Sequence, residues 1–352
     1  MVAPIEIEAS SVNLESHRDF CFEDFVNGQV FQLGTRRVSR EAIKEYAREF
    51  DPQPFHMDEQ AAATTLLKGL AASGWHTASL LMRLFSDGVL AHTRYAGLLG
   101  VEEIRWLLPV RPDDVLTGRA ICLGPRMEML GRDHGVIDMR CEAFNGAGQR
   151  LLWWHGHAAF HRRHGSDPQI AAWTEPDIGR RVARNPVRHG VKYFEDVEIG
   201  DEIALGTGRF GDDEIAYFHR EFDPYHSHPV VAAGRSECAS GWHVASMWMQ
   251  KLTQYYAEET ARLKANGRPV PALGPSPGIR RLFWHRPVCL GDSIAFTTWA
   301  ERKLELPAPT GWGLLVGGAE ARNQRGEIVM SFAAHLLLER RDRTDRSVSA
   351  QS

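Results

Sequence analysis

The chain alternates between helix-like and strand-like stretches, and the same order of stretches occurs twice. Residues 39–50 place apolar side chains at three- and four-residue spacing, which predicts an amphipathic helix with Ser39 as its N-cap. Residues 71–85, and their counterpart at 239–252, are apolar nearly all round, which is typical of a helix buried on most sides. Strand-like runs bounded by Gly, Pro or Asp follow each apolar helix, at residues 102–107, 115–123, 135–144 and 151–160, and again at 280–284, 293–304, 313–322 and 328–339. This order predicts an antiparallel sheet packed around one buried helix in each half.

Short motifs recur in the same order in the two halves. REFDP occurs at residues 48–52 and again at 220–224, and SGWHTAS at 73–79 corresponds to SGWHVAS at 240–246. Three further pairs of segments match, at residues 20–31 and 192–203, 105–114 and 283–292, and 142–151 and 320–329. We therefore interpret the chain as a tandem duplication. The predicted parts are a first unit over residues 20–162, a linker over 163–191, a second unit over 192–340 and a flexible tail over 341–352.

Composition narrows the class of protein. The 352 residues are 43% hydrophobic and 24% charged, which is typical of globular domains, and the net charge of −4 gives no basic footprint for nucleic acid. No run of about 18 apolar residues predicts a membrane span, and the first residues lack the apolar core of a secretory signal. The five scattered cysteines form no CxxC pair, so we expect buried free thiols in a reducing cytoplasm.

An aspartate and a histidine lie five positions apart on a proline-rich stretch in each half. Asp51 and His56 form this pair in the first half, and Asp223 and His228 keep the same spacing in the second. A carboxylate and an imidazole that converge on one water can act as base and acid in adding or removing that water. The alternative is an Asp-Pro turn with a histidine bonded to the backbone, and the spacing by itself does not decide between the two.

The segment around this pair resembles the MaoC-type dehydratases, a hot-dog-fold family that includes R-specific enoyl-CoA hydratases. The sequence Asp51-Pro-Gln-Pro-Phe-His56-Met-Asp58 resembles the family's Asp-x-Asn-Pro-x-His motif with Gln53 in place of Asn. Residues 71–77 resemble the family's turn into its central helix, and residues 105–114 resemble its strand and Pro-Val turn. The resemblance covers both halves. It implies an α+β fold of two tandem hot-dog units, each a curved antiparallel sheet around a central helix, paired edge to edge as an internal pseudo-dimer.

The resemblance also implies a chemistry, which is hydration of a 2-enoyl-CoA or dehydration of a 3-hydroxyacyl-CoA. Asp51 and His56 would hold the water as catalytic residues. Substrate binding and stabilisation of the enolate oxygen would fall to backbone amides around Gly74 and Gly100 and to residues at the helix start, Ser73 and Thr77. No metal or redox cofactor is implied, because the CoA thioester arrives as the substrate. A homodimer of such chains stays open.

The second half departs from the family pattern. Tyr225 and His226 replace the Gln-Pro pair, Val244 replaces Thr77, and five residues are missing before Ser240. We expect the first half to be catalytic, with Asp223 and His228 as candidates for a second site. Two other functions stay open, a hot-dog thioesterase and a non-catalytic protein that binds acyl thioesters.

Four histidines lie close together near the end of the first half, at positions 155, 157, 161 and 164. Histidines two residues apart share one face of a strand, but this stretch offers no thiolate or carboxylate to complete a metal site. We therefore expect a strand surface here and no metal.

Overall fold

The computed structural model describes residues 10–12, 14, 19–130, 133–163, 182–226, 238–306 and 311–341. Within these residues the α-helices are α1 (Arg40–Phe50), α2 (Pro54–Met57), α3 (Glu59–Ala63), α4 (Gly74–Gly88), α5 (Asp212–Phe222) and α6 (Gly241–Ala265). Short 3-10 helices lie at Phe22–Asp24, Leu90–His92 and Phe194–Asp196. The strands are β1 (Ser10–Val12), β2 (Gln29–Arg37), β3 (Tyr95–Trp106), β4 (Val115–Leu130), β5 (His134–Phe144), β6 (Arg150–His161), β7 (Asn185–Pro186), β8 (Asp201–Arg209), β9 (Gly278–Trp284), β10 (Ser293–Leu304), β11 (Trp312–Arg322) and β12 (Ile328–Glu339).

The described strands form one continuous sheet made of two similar halves. Their order is β1-β2-β4-β5-β6-β3-β9-β12-β11-β10-β8-β7, and β3 pairs antiparallel with β9 where the halves meet. The pairing is antiparallel throughout except for the short outer pairs β1–β2 and β7–β8. Joining the units through these two strands satisfies backbone groups that a lone unit would expose at its edge. The double hot-dog architecture and the internal pseudo-dimer are thereby confirmed.

The central helices α4 and α6 carry the core of the two units. The rings of Phe85 in α4 and Trp154 in β6 pack edge to face, with their centroids 5.4 Å apart. The ring centroid of Trp154 lies 6.2 Å from that of Trp242 at the start of α6. The ring centroids of Trp75 in α4 and Trp248 in α6 are 6.5 Å apart. Buried side chains of both units therefore form a single hydrophobic cluster. Burial of these large aromatic surfaces contributes favourable free energy to the contact between the units.

Helix starts follow the predicted capping, and helix lengths differ from the prediction in places. The Ser39 side chain accepts a hydrogen bond from the amide of Ala42 at 3.0 Å, as expected of an N-cap. The central helix of the second unit runs on to Ala265, well beyond the predicted end at residue 252. The proline-rich stretch after Asp51 contains the single turn α2, because Pro54 occupies a first-turn position where its missing N–H costs nothing.

The cysteines differ from the expectation of free thiols. Cys238 and Cys289 form a disulfide, whereas Cys21, Cys122 and Cys141 are free and buried. The prediction is therefore wrong for two of the five. A 51-residue separation in sequence hid the pair, which the fold places opposite one another on neighbouring segments.

Parts of the predicted linker and tail lie outside the described residues, namely 164–181 and 342–352. The end of the predicted linker is structured, since β7 pairs with β8. In the described part of the chain, no helix combines the length and the apolar character that crossing a bilayer requires.

Candidate active site

Asp51 and His56 come together at the end of α1. Asp51 caps the C-terminus of that helix with its N–H on the Ala47 carbonyl, and His56 lies in the following turn α2. Both side chains are buried, and the Asp51 Oδ2 atom lies 3.4 Å from the His56 Nε2 atom. The predicted convergence of the two groups is thus observed.

The tautomer of His56 follows from its second nitrogen. The Nδ1 atom lies 2.7 Å from the carbonyl oxygen of Ala71. A carbonyl only accepts hydrogen bonds, so Nδ1 carries a proton, and in the neutral form of the ring Nε2 then presents its lone pair toward Asp51. The dyad therefore consists of two hydrogen-bond acceptors that face each other.

Two donors fix the Asp51 carboxylate. The Gln53 amide donates to Oδ1 at 2.8 Å, and the Ser73 hydroxyl donates to Oδ2 at 2.6 Å. Ser73 is also the N-cap of α4, where its oxygen accepts from the amide of Trp75. One serine thereby ties Asp51 to the start of the central helix.

Gly74 and Thr77 lie at the same helix start. The Trp106 indole donates to the Gly74 carbonyl at 2.9 Å, and the Thr77 hydroxyl donates to that carbonyl at 2.8 Å. A Cβ at Gly74 would come within 2.9 Å of the Trp106 ring, so the close approach of indole and backbone requires glycine. The first amides of a helix lack intrahelical acceptors, and its dipole favours negative charge there.

These groups open into a cavity of about 310 Å³. Asp51, His56, Ser73, Gly74 and Thr77 all line it. The second unit lines much of the remaining wall, with Trp248, Met249 and Leu252 from α6 and Ala334, Leu336 and Leu337 from β12. Among the lining residues that the structure describes, Asp51 and His56 alone have ionisable side chains. The cavity therefore offers one reactive polar end and an otherwise apolar wall.

Arg111 holds the loop that supplies the carbonyl partner of His56. Its guanidinium donates to the carbonyl oxygens of Gly69 and Leu70 at 2.7 and 3.1 Å, and also to that of Leu67. Planar guanidinium groups present several fixed donors at once, which suits a loop that offers three carbonyl oxygens within four residues. The loop in turn places the Ala71 oxygen against His56.

The second unit keeps only part of this arrangement. Asp223 caps α5 as Asp51 caps α1, and Ser240 donates to its Oδ2 atom at 2.6 Å, as Ser73 does in the first unit. The Oδ1 atom has no hydrogen-bond partner in the described part of the structure, because the half-exposed Tyr225 stands where Gln53 stands in the first unit. Burial raises the pKa of Asp223 to about 7. His228 lies outside the described residues.

Gly100 is not part of the cavity. It lies on β3 opposite Phe283 of β9, at the junction between the two units. A Cβ there would overlap the Phe283 ring, so the residue is needed for close strand packing. The structure therefore brings Ser73, Gly74 and Thr77 to the dyad but does not bring Gly100.

Sequence reasoning missed the roles of Gln53, Arg111 and the second-unit wall. Gln53 occupies the Asn position of the family motif, and that substitution was the available signal for a donor to Asp51. Arg111 gave no such signal, since a single arginine after a Pro-Val turn is common on protein surfaces. The part of the cavity wall that comes from the second unit depends on how the two units pack together, so no local sequence pattern could predict it.

Comparison with known proteins agrees with this fold. The family model described as "MaoC like domain" matches residues 24–137. The uncharacterized protein YdeM of Bacillus subtilis is 33% identical over 100 residues, which is 27% of this chain and 67% of that protein. A structure from Chloroflexus aurantiacus J-10-fl, described as a MaoC domain protein dehydratase, covers 93% of this chain and 99% of its own with a TM-score of 0.71 at 15% identity. Rv0216 of Mycobacterium tuberculosis, described as a double hotdog fold, covers 90% and 98% with a TM-score of 0.67 at 16% identity.

Proposed function

Because this chain belongs to the MaoC-like domain family, we propose that its first unit adds water to a 2-enoyl-CoA, or removes water from the corresponding 3-hydroxyacyl-CoA. The observation that carries this proposal is the pair of acceptors, Asp51 Oδ2 and His56 Nε2, 3.4 Å apart at the polar end of an apolar cavity. A water molecule has two protons and can donate one to each acceptor. Such a water is held with its oxygen lone pairs free for attack.

The proton movements follow from the tautomer of His56. As the water oxygen bonds to C3 of the enoyl group, one water proton passes to His56 Nε2 and the π electrons move onto the thioester oxygen. The imidazolium so formed lies beside the Asp51 carboxylate, which stabilises its charge. The same proton then passes from His56 to C2 as the enolate collapses. Dehydration runs through these steps in reverse.

The start of α4 is suited to the developing enolate. Gly74, the first residue of α4, lines the cavity beside the dyad, and we propose its backbone N–H as the donor, because the next amide, that of Trp75, already donates to Ser73 Oγ. Donors that are already in place where negative charge develops lower the barrier, because they need no reorganisation. The hydrogen bonds from Trp106 and Thr77 to the Gly74 carbonyl hold that backbone in position.

The acyl chain would extend along the wall supplied by the second unit. Trp248, Met249 and Leu252 form an apolar surface, and the described residues of the lining include no lysine or arginine that could pair with a distal carboxylate. We therefore propose an apolar acyl group as substrate and a specificity role for the second unit. Its own half-site lacks the donor that holds Asp51, which favours activity in the first unit alone.

An assay of two signals tests this proposal. The enzyme is incubated with 2-enoyl-CoA thioesters of four to ten carbons, and the enoyl absorbance and free thiol are followed together. For the wild type we expect the enoyl absorbance to fall without release of thiol. For a His56→Gln variant we expect the absorbance to stay constant. Thiol release would indicate hydrolysis and contradict the proposal, and tight binding with neither signal would indicate a binding protein.

A further inference from the structure

A second cluster of reactive side chains lies on the first unit, away from the cavity. His155 and His157 lie two residues apart on β6, and Asp138 pairs with His157 from the neighbouring strand β5. Their candidate ligand atoms all lie within 4.8 Å of one another. None of the three lines the cavity of the dyad. Asp138 supplies the carboxylate that the sequence around the histidines lacks.

The arrangement of the two rings suits one tetrahedral ion. The ring centroids of His155 and His157 are 5.4 Å apart. Two imidazoles on one zinc ion, with Zn–N bonds of about 2 Å, place their ring centroids about 5 Å apart. The Asp138 carboxylate reaches both, with Oδ1 2.7 Å from His157 Nδ1 and Oδ2 3.7 Å from His155 Nε2.

One of the candidate ligand atoms has no hydrogen bond. The Nε2 atom of His155 is shielded from solvent, and among the described residues its contact with Asp138 Oδ2, at 3.7 Å, is too long for a hydrogen bond. A buried polar atom without a partner is costly, and a metal ion is one way to satisfy a lone pair in that place.

A carboxylate behind His157 completes the pattern of a metal site. The Glu102 Oε2 atom lies 3.8 Å from the Nε2 atom of His157, on the far side of the ring from Asp138. A carboxylate behind a ligating histidine fixes its tautomer and directs the other nitrogen to the metal. The Arg126 guanidinium, 3.5 Å from Asp138, would have to turn away, and its partial exposure allows this.

We propose that Asp138, His155 and His157 bind one divalent transition-metal ion, with Zn²⁺ as the chemically favoured occupant and solvent as a further ligand. The site would link β5 to β6 and, through Glu102, to β3. The second unit provides an internal control. Its counterparts are Val316, Ala333 and His335, and Val316 pairs with His335 as Asp138 pairs with His157. The chain should therefore bind one ion and not two.

Tag-free, chelator-treated protein is titrated with Co²⁺, followed by its visible absorption, and with Zn²⁺ by calorimetry. We expect one equivalent per chain, a rise in Tm with Zn²⁺, and at least a tenfold weaker association in His155→Asn and Asp138→Asn. The His335→Asn variant should bind as the wild type does. The Tm and the far-ultraviolet circular dichroism of the metal-free proteins verify that each variant is folded.

Absence of stoichiometric binding would overturn the proposal, as would equal binding by the wild type and His155→Asn. Those results would leave the cluster as an ion-pair network of the strand surface. The readouts are independent of the dyad, so failure here is distinguishable from failure of the proposed function.

Discussion

Arg111 and Cys289 occupy equivalent positions in the two units, and each fastens the same loop by a different chemistry. Arg111 donates hydrogen bonds to carbonyls of the loop that leads to Ala71. Cys289 is bonded to Cys238, which is the counterpart of Ala71. Next to these contacts, both units keep one backbone hydrogen bond. In the first unit Ala72 N donates to Val110 O at 2.9 Å, and the equivalent hydrogen bond in the second unit is 2.7 Å long. Both units thus restrain the segment that enters the central helix.

Replacing Arg111 should impair His56 through the Ala71 carbonyl. We expect Arg111→Met to lower kcat about tenfold, equivalent to about 1.4 kcal/mol, with little change in KM. The pH dependence of kcat should also change, because the tautomer of His56 is no longer fixed. Steady-state kinetics over a range of pH measure both effects.

The second unit suggests the rescue of that variant. An Ala71→Cys/Arg111→Cys double variant reproduces the linkage between Cys238 and Cys289 in the first unit. The double variant should regain activity when it is oxidised and lose it when it is reduced. The wild type, treated with the same reductant, shows whether the reductant itself affects activity. An oxidised double variant that remains as impaired as Arg111→Met would refute the role of Arg111 in positioning His56.

Substituting the glycine at the start of each central helix distinguishes an effect on catalysis from an effect on packing. A Cβ at Gly74 would lie 2.9 Å from the nearest atom of Trp106. A Cβ at Gly241 would lie closer, 2.4 Å from the nearest atom of Trp284. We expect Gly241→Ala to cost about 1–3 kcal/mol of stability by overpacking while the folded protein keeps its kcat. Gly74→Ala should lower kcat roughly 100-fold, because it shifts the amides beside the dyad. Equal losses of kcat in the two variants would argue against an oxyanion role for the start of α4.

Chain-length preference should respond to the second unit. Met249 lies on α6 and lines the cavity with its partly exposed side chain. A Met249→Trp variant narrows the apolar wall, so kcat/KM should fall at least tenfold for the longest acyl chain accepted and little for a four-carbon chain. Assays across the chain-length series measure this ratio. A uniform loss across the series would place the acyl chain elsewhere.

The buried carboxyl of Asp223 should make stability depend on pH. Burial raises its pKa to about 7 in the folded protein, above the value in the unfolded chain. The folded state therefore retains a proton that the unfolded state loses, so stability falls as pH rises from about 4 to 7 and levels off above. In Asp223→Asn that fall should disappear, so the variant should gain on the order of 4 kcal/mol of stability at pH 8 and almost none at pH 4. Urea unfolding at the two pH values measures it, and an unchanged pH dependence would contradict the assignment.

Local pattern predicted much of the fold. The runs predicted as strands at residues 293–304 and 328–339 coincide with β10 and β12, because Gly, Asp and turn residues bound them. Ser39 and the dyad were predictable for the same reason, since caps and short motifs are encoded within a few residues. The pairing of Cys238 with Cys289 and the cavity wall from α6 were not, because they depend on contacts between distant segments. The place of Gly100 opposite Phe283 depends on the same kind of long-range contact, since the two residues lie on strands of different units.

The comparison of Asp51→Asn with Asp223→Asn in one hydration assay tests the central claim most directly. The claim is that a water held between Asp51 and His56 reacts, while the second unit shapes the acyl site. With a 2-enoyl-CoA that the wild type hydrates, Asp51→Asn should lower kcat at least 1000-fold, and Asp223→Asn should stay within about threefold of the wild type. Loss of hydration in Asp223→Asn, with activity kept in Asp51→Asn, would contradict it.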